Sequence, residues 1–243
     1  SGTGAVIEAL SSKLDENRIL LNSKVVAISY KEDEDALTLT LKGGSKLVAS
    51  NIIIAAPPKS VWEHIEFSPA LQEQQLMKAT HTWMADSSKF TVVLDNDYWR
   101  KNNLSGFVYS NYGLIREMQD HNSADGKTIR LVGFIQPEGD LKVNFNRRKE
   151  IAINELKELF NIKDENVLAY DDCLWSDHYI DKHSINYNEE LMPHQNNGHP
   201  FYQRSHFDDH LFFSGAETSS SNPGYMEGAV GSAYRAVDLL IGK

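Results

Sequence analysis

The sequence contains few cysteines, a deficit of basic residues and no long apolar run. Cys173 is the only cysteine among the 243 residues, which rules out an internal disulfide and favours a reducing, cytoplasmic compartment. Lysine and arginine total 24 against 34 acidic residues, so nucleic acids and anionic membrane surfaces are not expected partners. No apolar run reaches the roughly eighteen residues of a membrane-spanning helix, and no membrane partner is expected.

The dinucleotide-binding fingerprint G-x-G-x-x-G is also missing. Gly2 and Gly4 have the first spacing of that motif, but Ile7 occupies its third position and no strand precedes them. The stretch from Gly4 onward instead has the apolar spacing of a helix. The phosphate-binding βαβ unit of a dinucleotide domain is therefore not encoded in these residues.

Apolar stretches with two different periods predict strands and helices in alternation. Apolar residues make up 41% of the chain, enough for the core of one large or two modest domains. Strands are expected at residues 19–21, 24–31, 37–41, 46–48, 51–56, 87–94, 95–100, 106–109, 112–116, 128–135, 167–174 and 211–213, with a glycine turn at residues 42–45. Helices are expected at residues 4–14, 71–78 and 147–160, and from Tyr225 onward. This order predicts a mixed α/β (α+β) fold.

The final stretch of the chain carries the most chemical information. It reads LFFSGAETSSSNPGYMEGAVGSAYRAVDLLIGK, a buried-strand pattern that stops at Gly215, a loop of small residues and a helix from Tyr225. The unpaired N–H groups and the positive dipole of such a helix start suit an anion or an electron-rich ring edge. An ordinary strand-to-helix crossover is the alternative interpretation.

The segment FFSGAETSSSNPGYMEGAVGSAYRA resembles the C-terminal flavin-binding segment of the flavin-containing amine oxidase family, which includes monoamine and polyamine oxidases. The resemblance implies FAD as cofactor, with the backbone N–H of Met226 at the pyrimidine end of the flavin. Many members carry glutamate directly after the glycine, whereas this chain has Ala216 there and Glu217 one place later. The residues implied at the cofactor are Gly215, Ala216, Glu217, Thr218, Gly224, Tyr225 and Met226.

The resemblance extends to three positions outside this segment. Val25 matches a residue whose backbone holds the adenine of FAD, and Lys89 matches a lysine bonded through water to the flavin N5. Trp175 matches a tryptophan packed against the flavin. Each also has a purely structural interpretation, as a strand valine, an exposed strand lysine and a core tryptophan.

Two residues depart from the monoamine oxidase pattern. His183 stands where those enzymes have the cysteine that binds flavin covalently, so non-covalent FAD is expected. Ser184 replaces an aromatic residue of the substrate cage and leaves Tyr225 as the one wall that can be placed. The aromatic pocket of the classical monoamine substrates is therefore incomplete, and Lys89 and Tyr225 are the catalytic candidates.

Histidines collect between residues 186 and 210, where a metal site has to be considered. His206 and His210 have the spacing of the outer residues of the zinc motif H-E-x-x-H, but Phe207 stands in place of its glutamate. Loops often contain histidines that bind nothing. No metal is predicted.

The resemblance implies three segments and one activity. Residues 1–78 and 183–243 are expected to form part of a Rossmann-like FAD-binding domain, and residues 79–182 a substrate domain with a mixed sheet flanked by helices. The implied activity is FAD-dependent oxidation of a small amine-like substrate, with hydride transfer from a C–H beside nitrogen to flavin N5 and reoxidation by dioxygen. Because the βαβ unit is missing, we expect a C-terminal half that is inactive without its N-terminal FAD-binding half and that exposes apolar surface favouring self-association.

Two other functions stay open at this point. A desaturase or a protoporphyrinogen-oxidase-like flavoenzyme would share the flavin segment and act on a larger substrate, for which the complete aromatic cage is not needed. A non-catalytic binding or interaction module would instead use the exposed apolar surface to contact a partner chain.

Overall fold

The structure, a computed structural model, describes residues 2–85, 87–175 and 192–242. Its helices are α1 (Gly4–Ser11), α2 (Pro58–His64), α3 (Gln75–Lys78), α4 (Tyr98–Lys101), α5 (Phe145–Phe160), α6 (Pro200–Gln203) and α7 (Met226–Leu240). Its strands are β1 (Val25–Lys31), β2 (Ala36–Leu41), β3 (Lys46–Ala49), β4 (Ile52–Ile54), β5 (Glu66–Ser68), β6 (Ser88–Leu94), β7 (Val108–Tyr109), β8 (Ile115–Asp120), β9 (Ile129–Ile135), β10 (Val167–Leu174) and β11 (Leu211–Phe213). Among the helices in these ranges, none combines the length and the apolar character needed to cross a bilayer.

The described residues form two compact units. The first comprises residues 2–83 and 192–242, and the second lies between residues 84 and 175. The first unit contains β1 to β5, β11 and five of the helices, whereas the second contains β6 to β10, α4 and α5. That these units serve as cofactor and substrate domains, with the predicted boundaries, stays a prediction.

The first unit is built on a four-stranded mixed sheet with the order β3-β2-β1-β5. The strands β1, β2 and β3 pair antiparallel, while β5 runs parallel to β1. In the turn between β2 and β3, Gly43 and Gly44 have φ angles of 118° and 90°. Residues that carry a side chain rarely adopt such φ angles, so this turn favours glycine at both positions. The glycine hairpin predicted from the sequence is confirmed.

A separate parallel pair, β4 with β11, lies in the same unit. Ile54 in β4 is buried, but Ile53 is 39% exposed. The continuous buried strand predicted at residues 51–56 is therefore wrong in its length and in part of its burial. The buried core of this unit consists of Ile28, Leu37, Ile54, Val61, Phe67, Leu71, Met77, Phe201, Tyr202, Leu211 and Phe213.

The second unit is a five-stranded antiparallel sheet with the order β10-β6-β9-β8-β7. The strand β6 alternates as predicted, since every second side chain from Ser88 to Leu94 is buried. The helix α5 is joined to β10 by an ion pair of 2.7 Å between Arg148 and Asp172, and the Tyr170 hydroxyl donates to the same carboxylate over 3.0 Å. Ala152, Leu156 and Phe160 of this helix share a buried core with sheet residues such as Phe90 and Leu131, so the core of the second unit lies between the helix and the sheet.

Residues 95–100, predicted as a strand, instead form a turn that leads into α4. Trp99 is completely buried, and its indole N–H donates to Asp120 Oδ2 over 3.0 Å. Burial of this large ring with its N–H satisfied outweighs the strand preference of the local sequence. Residues 19–21 also lie outside any strand, and α1 and α3 are shorter than predicted.

Candidate functional site

The candidate site begins where β11 ends. Leu211, Phe212 and Phe213 are each at most 1% exposed, because consecutive apolar residues suit a strand that is buried on both faces. The Ser214 N–H donates to the carbonyl oxygen of Ile54 over 2.7 Å, which extends the pairing with β4 by one residue. The chain leaves the strand pair at Gly215, as predicted.

Gly215 adopts a backbone conformation that is essentially restricted to glycine, with φ 108° and ψ 160°. Its N–H donates to the hydroxyl oxygen of Ser232 over 2.9 Å, and Ser232 is completely buried on α7. A side chain at Gly215 would also approach the carbonyl oxygen of Ala55 to 3.3 Å. The turn after β11 thus depends on a glycine and on a hydroxyl from the following helix.

Residues Ala216–Thr218 form a 3-10 turn, and two of its side chains point into the unit. Thr218 is fully buried, and its hydroxyl donates to the Gly215 carbonyl oxygen over 2.9 Å. Glu217 is 7% exposed; burial raises the pKa of its carboxyl, although hydrogen bonds from its own backbone and from Thr82 act in the opposite direction. Glu217 and Thr218 therefore shape the turn from inside.

The loop returns to this turn at Gly224, whose N–H donates to the Ala216 carbonyl oxygen over 3.2 Å. The helix α7 then begins with Tyr225 as its N-cap residue, and no side chain caps it. Tyr225 and Met226 are 51% and 66% exposed. Because the first N–H groups of a helix lack partners within the helix, this start is suited to an anion or an electron-rich ring edge.

Three rings meet beside this helix start. Between ring centroids, Trp83 lies 4.4 Å from Tyr225 and 5.1 Å from His194, and His194 lies 6.3 Å from Tyr225. The backbone N–H of His194 donates to Nδ1 of the His81 ring over 3.1 Å. The sequence pointed to Tyr225 and missed Trp83 and His194, because nothing in the local pattern marks residues so distant in the chain as neighbours.

Val25 lies at the start of β1, beside a β-bulge. It pairs with Leu41 on β2, and the register shifts between Val25 and Ala27. Its half-buried side chain packs against the core of the first unit. The valine thus has the structural role that the sequence also allowed, while the bulge leaves backbone polar groups outside the regular ladder.

Lys89 and Trp175 lie at one end of the sheet in the second unit. Lys89 is exposed on β6, where it pairs with Cys173 on β10. Its Nζ lies 5.2 Å from the centre of the Phe134 ring. Trp175 directly follows β10, is half-buried, and donates its backbone N–H to the Ser87 carbonyl oxygen over 3.1 Å. Strand pairing therefore brings these two predicted residues close together.

Two predicted departures, His183 and Ser184, lie outside the described residues. The two histidines with zinc-motif spacing are described and contact protein acceptors. His206 Nε2 lies 2.9 Å from the Phe201 carbonyl oxygen, and His210 Nε2 lies 3.0 Å from a carboxylate oxygen. Within the described ranges, no three His, Cys, Asp or Glu side chains are arranged to hold a metal ion.

The mixed α/β fold is that of flavin-dependent amine oxidases, as predicted. The structure of wild-type putrescine oxidase bound to putrescine covers 98% of this chain, with a TM-score of 0.76 and 20% identity. Cyclohexylamine oxidase from Brevibacterium oxydans IH-35A covers 100% of it, with a TM-score of 0.75 and 19% identity. This chain covers 52% and 53% of the two, respectively. Identity this low establishes the fold alone.

The sequence profile of the family described as flavin containing amine oxidoreductase matches residues 1–241. The protein therefore belongs to this family of flavoprotein oxidoreductases, which confirms the resemblance noted in its final segment.

Curated relatives agree with this membership. Human amine oxidase [flavin-containing] B is 25% identical over 249 residues, which covers 99% of this chain and 46% of the relative. A probable flavin-containing monoamine oxidase A of Dictyostelium discoideum is 28% identical over 134 residues, covering 55% of this chain and 29% of the relative. Putrescine oxidase of Kocuria rosea is 24% identical over 144 residues, which covers 56% of this chain and 30% of the relative. The chain thus spans less than half the length of each.

Proposed function

We propose that the protein is an FAD-dependent amine oxidase that acts on a small amine. The observation that carries the proposal is the glycine turn at Gly215, which leads from a fully buried strand into an uncapped helix start at Tyr225. Such a start offers unpaired N–H groups and a positive dipole end to an electron-rich ligand. When bound, FAD would accept hydride from a C–H beside nitrogen and pass the electrons to dioxygen.

The residues of the first unit fit the cofactor in two respects. A side chain at Gly215 or Gly224 would crowd the Ala55 carbonyl oxygen or the His194 and Trp83 rings, so both glycines are needed for the close packing that places the turn beside the helix start. The bulge beside Val25 supplies backbone polar groups outside the regular ladder. The residues proposed to hold FAD here are Val25, Gly215, Ala216, Glu217, Thr218, Gly224, Tyr225 and Met226.

In the second unit, Lys89 is proposed to hold a water beside the flavin N5, and Trp175 to pack against the flavin. The exposure of Lys89 supports its role, since an ammonium group at the surface can bind water or an incoming ligand. A cation near N5 would tune the redox behaviour of the ring and its reaction with dioxygen. Trp175 lies beside Lys89 across the β6–β10 pair, which supports a joint role.

The substrate is proposed to be an amine that approaches along the Tyr225 ring. Trp83 and His194 flank Tyr225 and add apolar and polarisable surface. Aromatic surface favours the carbon skeleton of an amine and, through the ring quadrupole, its cationic form in solution. Because His183 stands at the position of the covalent cysteine, FAD is proposed to be held without a covalent bond.

A second function is association through apolar helix faces. Val6, Ile7 and Leu10 on α1 are exposed, and so are Val230 and Val237 on α7. Exposed apolar patches of this kind mark surfaces that another chain segment covers. We propose that an N-terminal FAD-binding segment or a second copy covers them in the working protein. Sedimentation of the chain over a range of concentrations tests self-association. A molecular mass equal to that of the monomer at every concentration would exclude a second copy as the covering partner.

The test of the oxidase function is a visible absorbance spectrum after adding FAD and removing the excess. It is recorded for the complete product of the gene and, in parallel, for these 243 residues. Bound flavin in the complete product, followed by oxygen consumption with putrescine or cyclohexylamine as probe, is the expected result. Absence of flavin from both samples would contradict the proposal and favour the interaction function.

A further inference from the structure

Arg235 on α7 contacts the turn after β11 from inside the first unit. Its Nη1 donates to the Thr218 carbonyl oxygen over 3.0 Å and to the Gln203 side-chain oxygen over 3.1 Å. Its Nη2 donates to the Phe213 carbonyl oxygen over 2.8 Å and to the Thr218 hydroxyl over 3.1 Å. One guanidinium therefore connects the last residue of β11 with the last residue of the 3-10 turn, on either side of Gly215.

The charge of Arg235 is not explained by an ion pair. Among the described side chains, no acidic group forms a salt bridge with it. Its Nε is buried without a hydrogen-bond partner, and burial lowers the pKa of the guanidinium. Because a cation withdrawn from water without a counter-charge costs stability, the compensating contacts are those to uncharged oxygens, and three of these four acceptors belong to Phe213 and Thr218, on either side of Gly215.

We propose that Arg235 is a positioning residue that holds the turn from Gly215 to Thr218 in the geometry needed to bind FAD. The identity of the ligand rests on the proposed function, whereas the ordering of the turn does not. A planar guanidinium reaches two carbonyl groups at once with fixed geometry, which a lysine ammonium cannot reproduce. The turn needs such support, because fixing a glycine such as Gly215 in one conformation costs more entropy than fixing any other residue.

The first measurement is amide hydrogen exchange of the complete protein without FAD, followed by mass spectrometry. The variants are Arg235→Met, Arg235→Lys and the control Arg204→Met, which removes an exposed arginine of the same unit that is bonded to Glu73. We expect Arg235→Met to speed exchange in residues 214–219 by about tenfold, with β1 and β2 unchanged. Exchange in these residues should be slower in Arg235→Lys than in Arg235→Met, but faster than in the wild type. In Arg204→Met it should equal that of the wild type.

The second measurement is the FAD dissociation constant of the same variants, from flavin fluorescence. We expect an increase of about tenfold for Arg235→Met, a smaller one for Arg235→Lys and none for Arg204→Met. Unchanged exchange in the turn overturns the inference, and so does an equal acceleration in β1 and β2, which would mean general support of the unit. Faster exchange in the turn with unchanged FAD affinity overturns the role toward the cofactor.

The two measurements separate this inference from the proposed function. If the wild-type protein binds no FAD, the proposed function fails, and hydrogen exchange alone decides whether Arg235 orders the turn. If the wild type binds FAD and all three variants bind it equally well, the proposed function stands and the positioning role of Arg235 is rejected.

Discussion

Gly228 and Asn222 are in direct contact, since a Cβ placed on Gly228 would lie 2.2 Å from the Asn222 carbonyl oxygen. Gly231, on the next turn of the same helix, has open space, because its nearest neighbour would be Ser219 Oγ at 4.0 Å. The first glycine therefore lets α7 approach the loop that precedes it, whereas the second has no such role.

This difference predicts opposite effects of the same substitution. Gly228→Ala should lower the free energy of unfolding by about 1–3 kcal/mol, because the added methyl group meets a backbone carbonyl. Gly231→Ala should raise it by up to about 1 kcal/mol, because alanine loses less backbone entropy than glycine in a helix. Urea unfolding measures both changes. Similar values for the two variants would contradict the close contact at Gly228.

Gly224 lies among the rings beside the helix start. It has a φ angle of 80°, and a Cβ there would lie 3.0 Å from His194 Cε1 and 3.1 Å from Trp83 Cε3. We expect Gly224→Val to weaken FAD retention by about tenfold or more, because the branched side chain displaces these rings and strains the backbone. The flavin-to-protein absorbance ratio after gel filtration of the complete protein is the measurement.

A control separates crowding from backbone strain. Gly44→Val introduces the same side chain at a φ angle of 90°, in the hairpin turn, where no atom beyond the two neighbouring residues lies within 4 Å of the added Cβ. It should leave flavin retention unchanged. If Gly224→Val retains as much flavin as the wild type, the turn at Gly224 is not part of the FAD site. If both variants lose flavin to the same extent, the loss is due to lower stability of the protein.

Lys89 provides a test of the second unit. Its side chain is exposed and lies over the Phe134 ring, so Lys89→Met should change stability by less than about 1 kcal/mol. If Lys89 has its proposed place beside the flavin N5, reoxidation of the reduced flavin by dioxygen should slow by on the order of tenfold or more, because a charge beside the reacting centre would be lost. Stopped-flow absorbance of the complete protein measures this rate. Lys127→Met, which removes another exposed lysine, is the control, and an unchanged reaction in Lys89→Met would reject its placement.

Features with a strong local signal could be predicted from the sequence. The alternation in β6 follows from the period of two between Phe90 and Leu94, and the hairpin follows from two adjacent glycines with flanking apolar residues. The turn after β11 was predicted because an apolar run ends abruptly at Gly215. In each case the signal that predicts the feature comes from residues that are neighbours in the chain.

Features that depend on distant partners could not be predicted in this way. Trp99 was assigned to a strand, because the sequence does not reveal that its N–H meets Asp120. The sequence does not reveal the hydrogen bonds of Ser232 and Arg235, since polar residues on an amphipathic helix are usually solvent-exposed. Their role is visible only in the folded structure, because their contacts are made with backbone groups of β11 and of the turn that follows it.

Asp120, at the end of β8, accepts hydrogen bonds from three residues. Its carboxylate accepts the Trp99 indole N–H over 3.0 Å, the Arg100 Nη2 over 2.6 Å and the Asn122 N–H over 3.1 Å. Burial alone would raise the pKa of this carboxyl, but the hydrogen bonds from Arg100, Trp99 and Asn122 outweigh it, and the pKa is lowered from its usual value of 3.8. The ionised form is therefore the one that the folded state favours.

The direction of this shift fixes how stability depends on pH. A carboxyl whose pKa is lower in the folded state stabilises the protein fully above its unfolded pKa, and this contribution is lost as the pH falls through the folded value. We expect Asp120→Asn to reduce the free energy of unfolding by about 1–3 kcal/mol at pH 7, because an amide is a weaker acceptor and brings its own donors. The difference in the free energy of unfolding between Asp120→Asn and the wild type should become smaller below about pH 4. Urea unfolding of both proteins between pH 3 and pH 7 measures it, and a gap that stays constant over this range would mean that the bonds to Asp120 do not depend on its charge.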